Sequence, residues 1–148
     1  MLNITTQPPL TLYVHTPWCV QKCPYCDFNS HAIREELPEQ QYLAALIVDL
    51  EQKLHRVWGR RIQSIFIGGG TPSLLSPGFY EKLFSDLRAR LQISARAEIT
   101  LEANPGTVEA ARFKEFRSVG INRLSIGVQS FNDKYLKILT TITSGGRF

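Results

Sequence analysis

"SIFIGGGTPSLLSPGFYEKLFSDLRARL", residues 64–91, contains the repeating unit of this chain: a strand, a glycine turn and a helix are predicted in succession. "SIFI" (64–67) is a short run of residues that favour strands. After "GGGTP", Ser76 is the predicted N-cap and Pro77 the first residue of the following helix. Apolar residues then recur on one side of that helix, at Phe79, Leu83, Leu87 and Leu91. This spacing is typical of an amphipathic helix.

The same alternation continues on both sides of this unit. Further strands are predicted at residues 11–16, 98–103 and 123–129, and further helices at residues 38–58, 107–120 and 132–139. Thr107 and Asn132 are the predicted caps of the last two helices. Strands separated by helices of this length indicate crossover connections and a parallel sheet, hence an α/β fold. A barrel and an open doubly wound sheet both fit the pattern, although four strands cannot close a barrel alone.

The composition is that of one globular domain. The chain has 148 residues, of which 43% are hydrophobic and 20% are charged. Its start, "MLNITTQPPL", lacks the basic and apolar regions of a signal peptide, and no apolar run approaches a membrane span. We therefore expect a soluble, cytoplasmic protein. The net charge is +4, but the basic residues are scattered over predicted helix faces, so we expect no nucleic-acid partner.

The unusual residues follow the four predicted strands. They are the cysteine segment near the N-terminus, "GGGTP" (68–72), "EANP" (102–105) and "GVQSF" (127–131). The carboxyl ends of parallel strands share one edge, where ligands gather in α/β folds. Taken singly, each has a structural interpretation. The glycines could form a tight turn, Glu102 could pair with a basic residue at the end of its strand, and Gln129 could cap the next helix. The functional interpretation is a backbone that admits a ligand, with Glu102 accepting hydroxyls or an ammonium group.

The cysteines carry the most specific signal. Cys19, Cys23 and Cys26 are the chain's three cysteines and have the spacing C-x3-C-x2-C. An odd number of thiols cannot all form disulfides within the chain, and thiolates suit zinc or an iron–sulfur cluster. Zinc takes four ligands and would have to recruit His15 or His31. Three thiolates on a four-iron cluster would leave one iron open to a small molecule.

Tyr25 before the last cysteine makes the motif resemble that of the radical S-adenosylmethionine (SAM) enzymes. With "YVHTPWC", "GGGTPSLL", "LEANPGT" and "LSIGVQSF", the chain is similar, from Leu10 to Leu139, to the branch that contains oxygen-independent coproporphyrinogen III oxidase. In that family SAM binds the open iron, and an electron from the cluster cleaves it to a 5′-deoxyadenosyl radical. The resemblance implies the first four βα units of a partial (β/α)6 TIM-like barrel.

Within this branch the chain resembles the HemW-type heme chaperones more than the oxidases. The oxidase pattern has a further cysteine two positions after the third, where this chain has Phe28. The resemblance implies a protein that binds a 4Fe-4S cluster and SAM and acts in heme delivery or porphyrin metabolism, as a chaperone rather than an enzyme. The alternatives are an oxygen-independent coproporphyrinogen III oxidase and an inactive truncated fragment.

Site roles follow from the same resemblance, residue by residue, and no catalytic residue is transferred. The cluster ligands are Cys19, Cys23 and Cys26. The expected SAM contacts are Tyr13 and Tyr25 beside the cofactor, Gly69, Gly70 and Thr71 at its methionyl end, and Glu102 and Gln129 at its polar groups.

The resemblance ends abruptly after Leu139, at "TTITSGGRF". There, Thr141 replaces a basic residue that contacts the cofactor in the family. We therefore expect a partial radical SAM core at residues 1–139 and a divergent tail at residues 140–148, produced by truncation or frameshift. Heme and a heme-accepting protein are expected partners of the full-length parent. An exposed sheet edge predicts self-association of this chain.

Overall fold

The structure, a computed structural model, describes residues 6–23, 25–34, 36–105 and 107–139. The strands are β1 (Leu10–Thr16), β2 (Trp18–Cys19), β3 (His31–Ala32), β4 (Arg61–Gly69), β5 (Gln92–Ala103) and β6 (Arg123–Ile126). The helices are α1 (Glu39–Lys53), α2 (Pro77–Arg90), α3 (Thr107–Ser118) and α4 (Asp133–Leu139). Short 3₁₀ turns lie at Leu54–Arg56 and Pro72–Leu74.

The main sheet has four parallel strands in the order β1-β4-β5-β6. Helix α1 lies between β1 and β4 in the chain, α2 between β4 and β5, and α3 between β5 and β6. This confirms the predicted α/β fold with a parallel sheet. Because all four strands run in the same direction, their carboxyl ends lie at one edge, and the four unusual segments meet there.

The hydrophobic core lies between the sheet and its helices. Alternate residues of the central strands are buried in it, among them Ile65 and Ile67 of β4 and Ile99 and Leu101 of β5. Helix α2 contributes Phe79, Tyr80, Leu83, Phe84 and Leu87, all buried. The predicted apolar face of this helix is therefore confirmed at Phe79, Leu83 and Leu87, whereas Leu91 is only half-buried.

Two predicted helix caps are confirmed. Ser76 Oγ accepts a hydrogen bond from the backbone N–H of Phe79 at 3.1 Å, and Pro77 is the first residue of α2. Asn132 Oδ1 accepts from the backbone N–H of Lys134 at 3.0 Å, just before α4. The predicted capping side chain of Thr107 lies outside the described residues.

Several predicted boundaries are wrong. β5 begins at Gln92 rather than residue 98, because its first residues pair with the start of β4 across an irregularity in register between Ile62 and Ser64. β6 ends at Ile126, so residues 127–129 belong to the loop after it. Helix α1 ends at Lys53 and continues as a 3₁₀ turn.

The parallel pair of β2 and β3 is absent from the sequence prediction. Each strand has two residues, too few to show a periodic pattern. Across the part of the chain that the structure describes, no helix is both long and apolar enough to cross a membrane. The predicted tail at 140–148, with Thr141, lies outside the described residues, and the division at residue 139 stays a prediction.

Candidate functional site

A cavity of about 310 Å³ lies at the carboxyl edge of the parallel sheet. Residues from all four segments that follow the main strands line it. Nine of the ten predicted site residues are among them: Cys19, Cys23, Tyr25, Cys26, Gly69, Gly70, Thr71, Glu102 and Gln129. The fold therefore brings together residues that lie as much as 110 positions apart in the sequence (129 − 19).

Tyr13 is the predicted site residue that does not line this cavity. It lies within β1, opposite Phe66 of β4, and the two rings stack with their centroids 6.2 Å apart. Its hydroxyl lies 2.9 Å from Nδ1 of His15. Partial burial, and then the negative charge of Glu102, raise the pKa of Tyr13 above its usual value. Tyr13 therefore lies outside the cavity wall, next to Phe66 and His15, which do not line the cavity either.

The cysteine loop (residues 19–30, described except for Pro24) forms one wall of the cavity. The β2–β3 pair closes its base, where His31 N–H donates to Pro17 O at 2.7 Å and Ile33 N–H donates to Cys19 O at 2.8 Å. Within the loop, Cys26 N–H donates to Cys23 O at 3.1 Å. The two short strands thus hold the ends of the loop together, with Cys19 at the end of β2 and Cys23 and Cys26 on the segment between the strands.

All three cysteines are free thiols and are half-buried. Burial, followed by a hydrogen bond to the Cys23 side chain and the charges of Cys23 and Cys26, raises the pKa of Tyr25. Among the residues with described positions, no three His, Cys, Asp or Glu side chains are arranged closely enough to hold a metal ion. The donor chemistry fits an iron–sulfur cluster, since three soft, unpaired thiols share one cavity, but the thiols must converge to bind it.

Both ring nitrogens of His15 are engaged. Nε2 lies 2.8 Å from the carbonyl oxygen of Asn29, which can only accept, so Nε2 carries the hydrogen. In neutral His15, Nδ1 then accepts from the Tyr13 hydroxyl. Zinc ligation by His15 would break one of these hydrogen bonds. His31, the other histidine considered for zinc, is exposed on β3.

The glycine loop (residues 68–76) forms a second wall. A Cβ atom on Gly70 would lie 2.8 Å from the carbonyl carbon of Trp18, and one on Gly69 would lie 2.7 Å from the His15 ring. Gly69 also has a positive φ of 110°. The space next to these glycines is occupied by the β1–β2 segment, so their role here is a tight chain crossing. Gly69 and Gly70 also line the cavity, so a molecule in the cavity would contact them there.

Glu102, near the end of β5, is held against the glycine loop. Its Oε2 accepts a hydrogen bond from the backbone N–H of Gly69 at 3.1 Å. Within the described part of the chain, Oε1 has no hydrogen-bond partner. One oxygen is therefore fixed by the protein, and the other can accept from a hydroxyl or ammonium group of a ligand in the cavity.

The sequence prediction missed three polar residues that line the cavity, Gln21, Asn104 and Ser125. Asn104 Nδ2 donates to Thr71 Oγ1 at 3.4 Å, and Ser125 on β6 lies opposite Glu102 on β5. Asn104 could have been found from its place in "EANP", directly after a strand. Ser125 could not, because a serine inside a predicted strand carries no signal of its own.

In the described part of the chain, one non-glycine residue has a positive φ: Gln129, at 63°. A side chain with a Cβ atom is disfavoured in this left-handed conformation. Its amide lies over Gly127, where a Cβ atom would be 2.8 Å from Gln129 Nε2. Both residues line the cavity, so the backbone conformation at the end of β6 places this amide in the site.

Comparison with known proteins adds a family and two close relatives. The model of the Radical SAM superfamily matches residues 13–145. The heme chaperone HemW of Escherichia coli is 57% identical over 135 residues, which cover 91% of this chain and 36% of that protein. The heme chaperone HemW of Haemophilus influenzae is 54% identical over 139 residues, with the same two coverages. The chain thus spans about a third of the length of the curated relatives it matches.

A solved structure matches as well. It is the coproporphyrinogen III oxidase HemN from Escherichia coli, described as a radical SAM enzyme, with a TM-score of 0.79 and 36% sequence identity. The match covers 89% of this chain and 30% of that chain. It confirms the predicted fold class, in which these strands and helices form part of a TIM-like barrel.

Proposed function

The chain belongs to the radical SAM superfamily, and on that premise we propose that its cavity binds a 4Fe-4S cluster together with S-adenosylmethionine. The observation that carries this proposal is the convergence of four separate segments on one cavity, with the three cysteines on one wall and Glu102 on another. The cluster would be held by Cys19, Cys23 and Cys26. Three protein ligands leave a coordination position for the second molecule.

When bound, the cluster supplies an electron to the sulfonium group of S-adenosylmethionine. This chain's own residues bind and orient that molecule. The free oxygen of Glu102 accepts from its ammonium or ribose hydroxyls, and Gly69, Gly70 and Thr71 present backbone to its methionyl end. Gln129 supplies an amide donor and acceptor, and the Tyr25 side chain lies beside the cofactor next to the cysteines. Tyr13 supports the site through His15, since it does not line the cavity.

For the protein as a whole we propose a cytoplasmic role in heme delivery, with heme as cargo and a heme-accepting protein as partner. The support is the high identity to two proteins named heme chaperones. The coproporphyrinogen oxidase is the second candidate, because a structure of that enzyme shares the fold at 36% identity. Heme uptake without formation of 5′-deoxyadenosine favours the chaperone. Oxidation of coproporphyrinogen III with formation of 5′-deoxyadenosine favours the oxidase.

Reconstitution without oxygen tests the proposed site. The purified chain is incubated with iron and sulfide, iron per chain is measured, and the EPR spectrum of the reduced protein is recorded with and without S-adenosylmethionine. We expect about four iron atoms per chain and a spectrum that changes when S-adenosylmethionine is added. Cys23→Ala should lose most of the iron, whereas Glu102→Gln should keep the iron and weaken the spectral response.

Two outcomes would contradict the proposal. Full iron uptake by Cys23→Ala would show that the thiols are not the ligands. Failure of the wild-type chain to take up iron would favour the alternative of an inactive chain.

We also propose that the chain self-associates along the edge of its sheet. Among the described strands, β6 pairs only with β5, and Ile126 at its end is 44% exposed. An unpaired strand edge can pair with another copy. Sedimentation velocity over a dilution series should show a concentration-dependent shift, and one monomeric species at every concentration would contradict it.

A further inference from the structure

We propose that Lys22 is a positioning residue that holds the cysteine loop closed. It lies between the first and second cysteines, and its Nζ donates hydrogen bonds to the carbonyl oxygens of Phe28 and Ser30, both at 3.1 Å. These two carbonyls lie beyond Cys26. The Lys22 side chain therefore connects the first half of the loop to its last residues.

Side chains hold three successive carbonyls at the end of this loop. Lys22 binds those of Phe28 and Ser30, and His15 Nε2–H donates to that of Asn29 at 2.8 Å. His15 ties this end of the loop to β1, and Lys22 ties it to the segment that carries Cys19 and Cys23. In the described part of the loop, the hydrogen bonds that join residues 19–23 to residues 27–30 are those of Lys22.

An ammonium group is suited to this task. It has three hydrogens and no acceptor, so it can serve two carbonyls two residues apart, and hydrogen bonds from a charged donor are stronger than neutral ones. Among the described residues, the ion pairs do not include Lys22. No carboxylate therefore competes there with the two carbonyls for its ammonium group.

Closure of the loop matters for the thiols because they must converge to hold a metal. A loop that is already restrained loses less conformational entropy when its ligands come together. The inference rests on the proposed function in treating this segment as the cluster loop. The closure itself is a property of the chain without metal and can be measured separately.

The test compares three variants in the metal-free chain. Lys22→Met removes the donors and keeps most of the stem, Lys22→Arg restores donors, and Lys114→Met on an exposed position of α3 is the matched control. Hydrogen exchange of peptides covering residues 19–33 and the alkylation rates of the thiols report loop opening. We expect both to rise about fivefold to tenfold in Lys22→Met, with most of the effect reversed in Lys22→Arg and none in Lys114→Met.

A second measurement follows the rate of iron uptake during reconstitution with iron and sulfide. Lys22→Met should take up iron about fivefold more slowly than Lys22→Arg. Unchanged exchange and alkylation in Lys22→Met would overturn the inference, and so would an equal rise in exchange across β4 and β5, which would make Lys22 a general stability residue. Faster loop exchange in Lys22→Met with no iron uptake by wild type would support the inference while refuting the proposed function.

Discussion

The two walls of the cavity are held in different ways. In the glycine loop, Thr71, Pro72, Ser73 and Leu75 are buried, and side chains from three helices bind its backbone. Glu39 of α1 accepts from the backbone N–H of Ser76, and Tyr80 of α2 donates to the carbonyl of Pro72. Arg112 of α3 donates to the carbonyls of Ser73 and Leu75. The cysteine loop is largely exposed and depends on Lys22, His15 and a two-residue strand pair.

One wall is therefore part of the core, and the other is a local structure. Because of these contacts we expect the glycine loop to open only when the helices separate from the sheet, and the cysteine loop to open while the core stays folded. Local openings of low free energy are common where few apolar contacts cover the backbone. The rigid wall thus provides the shape of the site, and the looser wall carries the three thiols.

The largest effect is expected from Gly70→Ala. Its Cβ atom would lie 2.8 Å from the backbone carbonyl carbon of Trp18 and closer still to the oxygen. Backbone cannot rotate away as a side chain can, so we expect the free energy of unfolding to fall by about 3 kcal/mol or more. Urea denaturation measures the change. Gly78→Ala is the matched control: its nearest neighbour would be at 3.8 Å, on a helix where alanine is favoured, so it should be neutral or stabilising.

Arg112→Met tests whether the helices hold the glycine loop. The guanidinium donates to the carbonyls of Ser73 at 2.8 Å and Leu75 at 2.9 Å and lies over the Phe116 ring. Loss of two charged hydrogen bonds should lower the free energy of unfolding by about 2 kcal/mol. Hydrogen exchange should rise in residues 72–76 and stay unchanged in the cysteine loop. An equal rise in hydrogen exchange in both loops would show that the two walls are not held independently. Arg117→Met, at an exposed position of α3, serves as the control.

Tyr42 packs between Trp18, which precedes the cysteine loop, and Phe79 of α2, and it makes the stability of the fold depend on pH. Its ring contacts Trp18 edge-on and stacks on Phe79, and its hydroxyl donates to the carbonyl of His15. Burial raises the pKa of Tyr42 to about 12. The unfolded chain releases this proton near pH 10 and the folded chain does not, so stability is present below pH 10 and is lost as the pH rises toward 12.

The expected loss from Tyr42 is roughly 2 kcal/mol between pH 10 and pH 12. Urea denaturation at pH 9 to 12 measures it, and the decline in Tyr42→Phe should be smaller by that amount. The pKa of Tyr80 is also raised by burial, and its contribution remains in the variant. Identical pH profiles for wild type and variant would exclude the assigned role of Tyr42.

The smallest effect is expected from Gln129→Gly. The positive φ of 63° costs a residue with a Cβ atom about 1 kcal/mol, so glycine should raise the free energy of unfolding by about that amount. The same change removes an amide from the cavity and should weaken binding of S-adenosylmethionine to the reconstituted chain. Gln129→Asn is the control because asparagine adopts this conformation more readily. Destabilisation by glycine would show that the Gln129 side chain supports the loop.

Long, periodic segments were predicted well because they carry repeated information. The apolar positions of α2 and its Ser76–Pro77 start were readable from spacing and cap chemistry alone, and the structure has them in place. The extension of β5 to Gln92 was missed, although residues 92–97 alternate polar and apolar side chains, because two of the apolar positions are Ala95 and Ala97 and alanine favours strands weakly. Nor could the β2–β3 pair be predicted, since two residues have no period.

The residue types of the site could be predicted, but their mutual positions could not. The order of residues is enough to predict that three thiols, a triple glycine, a carboxylate and an amide each follow a strand, and parallel strands must bring such segments to one edge. The folded chain was needed to find that the glycines accommodate the Trp18 carbonyl, that one Glu102 oxygen is bound by Gly69, and that Lys22 spans the cysteine loop. Spacing along a chain is a property of sequence, whereas these contacts join segments whose distance is set by how the sheet and helices pack.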